Sequence, residues 1–214
     1  MTDYLKEPQK IESDSFRLIE EIAGAHGLTD EQWPVVRRMI HTTADFDYNK
    51  NIRFHPQAIL AGLRALKAGS SIVTDTRMLQ AGISTGRLAK LNVETYCFVD
   101  DPEVAADAHN RGVTRSIAAV DRAVAYLDGG IAAIGNAPTA LLHLMELVDA
   151  GKIKPALIIG IPVGFINAAE SKEILAGKTY PFITSLGRKG GSPVVAGVIN
   201  ALAVRALEEI KNDC

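Results

Sequence analysis

The sequence predicts an α/β fold: a three-layer α/β/α domain with a five-stranded parallel sheet, preceded by N-terminal helices. Three observations carry this. After residue 70, five short apolar runs alternate with helix-length amphipathic stretches, the pattern of βαβ units. The runs are continuously apolar rather than alternating, as strands covered on both faces are. The 214 residues, 47% hydrophobic and 22% charged, suffice for one full core. The chain is therefore read as a single domain over 1–214. Residues 1–12 form a mobile arm, and 13–69 a helical segment packed on a platform formed by 70–214.

The elements follow in order. From Ser13 a helix runs through Phe16, Ile19 and Ile22 to Gly24, with Ser13 or Ser15 as N-cap. Thr29 and Gln32 have the spacing of a capping box, and Pro34 suits a first turn. The helix they open buries Trp33, Val36 and Ile40 on one stripe. His41 lies off that stripe. At about 3.6 residues per turn it lines up with Arg38 behind it and Asp45 ahead. Residues 47–55 read as a loop. A third helix begins at Pro56, carries Ile59, Leu63 and Leu66, and stops at Gly69. The strands are 71–76, 94–99, 131–135, 155–162 and 181–186. Helices cover 102–111, 114–127, 138–150 and 165–175, and a last one spans 192–210.

Composition excludes several classes. A net charge of −2 without a basic run favours neither nucleic acid nor an anionic membrane surface. No apolar window reaches the roughly 18 residues of a membrane span, and the polar start has no signal-peptide core. Cys97 and Cys214 are poorly placed for a disulfide framework, so a cytoplasmic, reduced chain is expected. Dinucleotide, P-loop and nucleophile-elbow signatures are missing, as is zinc spacing of His and Cys, so neither a cofactor nor a metal is expected.

In an open parallel sheet the ligand crevice lies at the carboxyl ends of the strands. Two such ends stand out. Gly135-Asn136-Ala137-Pro138-Thr139 is a tight turn into a helix whose free N–H groups would face the crevice. Residues 187–193 add Arg188, Lys189 and a glycine pair, a cradle for an anion. Both serve equally well as plain turns. His41 is either a partly exposed helix histidine or a functional one, with Arg38 holding an anion and Asp45 orienting the ring. His26, His55, His109 and His143 read as structural. Asp75 is a phosphoacceptor or a turn residue, and Arg115 an anion contact or part of a helix start.

Four separated motifs resemble one family, in the right order over nearly the whole chain. They are His41-Thr42-Thr43-Ala44-Asp45-Phe46, Gly135-Asn136-Ala137-Pro138-Thr139-Ala140, Pro162-Val163-Gly164-Phe165 with Ala168-Ala169-Glu170-Ser171-Lys172, and Gly190-Gly191-Ser192. The chain is similar to the precorrin-8X and cobalt-precorrin-8 methylmutases of cobalamin biosynthesis. The resemblance implies a flavodoxin-like fold and a homodimer. It also implies a methyl shift from C-11 to C-12 on ring C of a corrinoid precursor, giving hydrogenobyrinic acid or cobyrinic acid. By the same carry-over His41 is catalytic, Ser15 and Arg38 bind substrate, and Ser84, Thr85, Arg115 and Asn136 lie near the macrocycle. The His-Thr-Thr-Ala-Asp form leans toward the cobalt-dependent branch. A carboxylate-rich macrocycle suits Arg38, Arg115, Arg188 and Lys189, and an isomerisation within one molecule needs no hydride or phosphate cofactor. The competing readings are a non-catalytic tetrapyrrole carrier and a receiver-like domain using Asp75 or Asp100 with Lys189.

Overall fold

The computed structural model describes residues 6–212; Cys214 lies outside them, as do residues 1–5 of the expected arm. The first helix, α1 (Pro8–Ala23), begins inside that arm, with proline at its first turn, where a missing N–H costs nothing. Ser13 and Ser15 therefore sit within the helix and do not cap it. Their hydroxyls donate back to the carbonyls of Lys10 (3.0 Å) and Ile11 (2.6 Å). Before α2 (Trp33–Thr43) the capping box closes as expected. The Thr29 N–H donates to Gln32 Oε1 at 3.2 Å and the Gln32 N–H to Thr29 Oγ1 at 3.3 Å. Ala44, left-handed at φ 54°, ends the helix.

The expected loop at 47–55 is instead a short helix, α3 (Asp47–Asn51), and a strand, β1 (Ile52–Phe54). Then come α4 (Ala58–Lys67), closed by Gly69 at φ 73°, β2 (Ile72–Thr74), α5 (Arg77–Gly82), α6 (Thr85–Lys90) and β3 (Thr95–Tyr96). α7 (Pro102–Arg111) matches its expected limits, while the next helix divides at Ala123 into α8 (Arg115–Arg122) and α9 (Val124–Leu127). The remainder alternates as anticipated: β4 (Ile131–Ile134), α10 (Pro138–Asp149), β5 (Leu157–Gly160), α11 (Ala168–Ala176), β6 (Phe182–Ser185) and α12 (Ser192–Asn212).

The sheet has six strands, not five, in the order β1-β6-β5-β4-β2-β3. Five are parallel, and β1 joins the edge antiparallel to β6, with Ile52 opposite Ser185. A three-residue edge strand is held by backbone bonds and buries one side chain fully, so it leaves almost no periodic trace. The parallel strands β2, β4, β5 and β6 bury both faces, while the edge strand β3 is half-buried. Ile131, Ala133, Leu157 and Ile159 pack with α2, α4, α5 and α12 on one side. Ala132, Ile134 and Ile158 pack with α8, α10 and α11 on the other. Among the described residues no helix is long and apolar enough to cross a membrane. The N-terminal helices α2 and α4 share α12's core, which places the end of α2 beside that long helix.

Candidate active site

His41 lies in the last turn of α2, solvent-exposed, with its ring 5.1 Å from that of Phe16 on α1. One turn back, the Arg38 guanidinium lies 4.7 Å from the same aromatic centroid and donates to Glu12 at 2.6 Å. That bond, first among its influences, holds the Glu12 carboxyl below the usual carboxylate range. Arg37 covers Phe16 at 4.4 Å and pairs with Glu20.

Two adjoining cavities, about 260 and 420 Å³, share Arg38 and Arg87 and make one groove along α12. The smaller is lined by His41, Thr42, Pro193 and Asn200, the larger by Phe16, Arg37 and Arg205. The approach of α2 to α12 depends on Gly197, where an added Cβ would stand 3.1 Å from Thr42 Oγ1. Asn200 ties the other wall in place. Its Oδ1 accepts from the Ser84 N–H (2.8 Å) and its Nδ2 donates to the Gly82 carbonyl (2.9 Å).

The expected site residues divide into two groups. Arg38 and His41 line the groove, whereas Ser15, the chain neighbour of Phe16, does not, and its hydroxyl is spent on the Ile11 carbonyl. Ser84 and Thr85 open α6, whose Arg87 reaches into the groove, but neither lines it. Arg115, exposed at the start of α8, and Asn136, exposed after β4, lie at the carboxyl edge of the sheet and also stay out of the groove lining. The histidine's expected partner is displaced. Because α2 ends at Thr43, Asp45 leaves the face of His41, takes the Asp47 N–H at 3.0 Å and pairs with Lys189 at 2.6 Å. The bond from Lys189, foremost, keeps its carboxyl low.

The two expected anion cradles are filled from within. Asp75, buried at the end of β2, accepts from the N–H groups of Gly135 (3.1 Å), Asn136 (2.7 Å) and Ala137 (2.8 Å). Burial pushes its carboxyl up, against the pull of those three donors. In the 187–193 loop, Lys189 is held by both Asp45 and Asp47, each at 2.6 Å. The fully buried Lys172 donates to the Lys189 carbonyl at 2.6 Å, and burial brings its ammonium down to about 8. Asp100 is paired with Arg77 at 2.9 Å, so the groups a receiver domain would use are committed to structure. Among the other histidines, His26 stacks on Trp33 at 4.0 Å, and His143 lies between Asp121 (2.6 Å) and Glu146 (3.3 Å).

Glu12, Arg87 and Asn200 escaped the sequence reading, and Phe16 was read only as part of the apolar stripe of its helix. For Asn200 a signal existed, an amide inside the apolar run 194–203. For Arg87 there was none, since a single arginine on a six-residue helix has no pattern around it.

Comparison with known proteins gives this groove a context. Residues 10–205 match the family model for precorrin-8X methylmutase. A cobalt-precorrin-8 methylmutase from Priestia megaterium is 47% identical over 200 residues, 94% of this chain and 89% of that protein. The precorrin-8X methylmutase of Pseudomonas aeruginosa is 42% identical over 205 residues, covering 95% and 98%. Among solved structures, the precorrin-8x methyl mutase from Thermus thermophilus superposes with a TM-score of 0.88 at 43% identity, covering 94% and 97% of the two chains. With its fold and nearly its whole length shared, the chain belongs to the precorrin-8X methylmutase family, isomerases that move a methyl group.

Proposed function

We propose that this protein moves the methyl group at C-11 to C-12 on ring C of precorrin-8X or cobalt-precorrin-8, with His41 as the acid. The observation that carries this reading is the placement of His41, exposed at one end of an arginine-lined groove in a chain of this family. The methyl migrates within one molecule, so no co-reactant is needed. What the protein supplies is orientation and a proton. A histidine titrates near neutrality, and hydrogen bonding or proton donation to the ring C nitrogen would hold the tautomer from which the shift proceeds. Arg38 would hold a substrate carboxylate, with Ser15 beside it. Ser84, Thr85, Arg115 and Asn136 take a further part of the macrocycle's rim only if it extends beyond the groove toward the sheet edge.

We read the parallel strands as the flavodoxin-like sheet. Leaving out β1, their order by position in the chain is 2-1-3-4-5, which supports that assignment. The protein acts as a homodimer in the cytoplasm; the buried free thiol of Cys97 suits a reducing compartment. Cobalt, where present, belongs to the substrate.

Replacing His41 by Ala and following the visible absorption of the corrinoid tests the central role. General acid catalysis predicts a loss of roughly 10²–10⁴ in kcat with binding retained. An undiminished rate removes His41 from the chemistry.

A further inference from the structure

We propose that Arg87 docks a carboxylate of the corrinoid and makes the groove selective for the free acid over its ester, an inference that rests on the function proposed above. Four arginines line the groove. Three are engaged: Arg37 with Glu20, Arg38 with Glu12, and Arg205 with the Glu31 carbonyl at 2.6 Å. Arg87 lines both cavities, is half-buried, and takes part in no ion pair among the described residues. A guanidinium drawn partly out of water gains most from a planar, two-point contact with a carboxylate, the strongest kind of hydrogen-bonded pair.

The backbone that carries it is anchored. Asn200 bridges the Ser84 N–H and the Gly82 carbonyl on either side of the α5–α6 turn, and Leu88 is buried next to Arg87 in the chain. The guanidinium is thus presented from the wall opposite α2, with its field felt at Glu12 across the groove. A ligand in contact with His41 would lie between Arg38 and Arg87, and of these two cations only Arg87 has no internal carboxylate to displace. The substrate, which carries several carboxylates, supplies the missing partner.

The test titrates wild type, Arg87→Gln and Arg87→Lys with the product corrinoid as free acid and as its methyl ester, read by visible absorption, alongside steady-state turnover. Arg87→Gln should weaken binding of the acid roughly 10- to 100-fold and leave the ester unchanged. In turnover the effect falls on KM rather than kcat, and Arg87→Lys recovers part of it. Acid binding as tight as wild type in a normally folded Arg87→Gln protein overturns the proposal. So does equal weakening of acid and ester, which would mark a role in shape alone. Wild-type protein that neither binds nor converts the corrinoid would instead remove the proposed function itself.

Discussion

Asp75 is held by three backbone N–H groups at the start of α10, the turn that the sequence offered either as a ligand contact or as a plain turn. Its carboxylate completes the turn that carries Asn136. Asp75→Asn keeps the shape but turns an NH₂ group toward donors that need an acceptor. Stability should fall by about 1–3 kcal/mol in urea unfolding, the cost of buried donors left unmatched. Lys172 makes a pH prediction. Burial lowers its ammonium from 10.5 to about 8 in the folded chain, so between those values the unfolded chain holds more protons. Stability attributable to this group therefore rises as pH increases from 8 to 10.5. Thermal unfolding of wild type against Lys172→Met across that interval should show the extra rise in wild type alone. Near pH 7 the variant should be no less stable, since an apolar side chain of similar length avoids burying a charge. At this scale, Arg38 and His41 were legible from helical periodicity. Asp45 was not, because its place on the face of His41 required the helix to run on past Thr43, where α2 in fact ends.

The long helix α12 is the element on which the site is assembled. Its small residues let neighbours approach closely. Gly197 faces Thr42 and Arg38 on α2, and Ala196 faces Gly82 on α5. In Gly197→Ala the added methyl would stand 3.1 Å from Thr42 Oγ1, tight enough that α2 must give by a few tenths of an ångström. Alanine's helix preference, worth about 1 kcal/mol over glycine, opposes that crowding. Net stability should change by about 1 kcal/mol or less, while turnover falls because His41 and Arg38 shift with α2. Denaturation and kcat measured on the same variant check both halves. The long elements with strong periodicity, such as α2, α10 and α12, could be read directly. The short ones, α3, β1, α5 and α6, could not, because fewer than two turns or four strand positions give no period to detect.

For the whole molecule, local patterns were enough to determine a great deal. Continuous apolar runs separated by amphipathic helices specify a parallel sheet covered on both faces, since each such run must bury two sides. Turn chemistry at Gly69 and at the Thr29–Gln32 box specified helix limits. The four motifs were enough to place the chain in its family. What only the tertiary structure decided is which distant residues meet. Ser84 and Asn200 are 116 positions apart, as are Thr76 and Ser192 at the carboxyl end of the sheet. Glu12 reaches Arg38 from another helix, and Asp75 fills a turn 60 residues away. The antiparallel pairing of β1 likewise depends on β6 already being in place. The physical reason is one of range. Periodicity and capping are settled by neighbours within a few residues, whereas the groove, its arginines and its occupied anion sites exist only once the sheet and α12 have brought separate segments together.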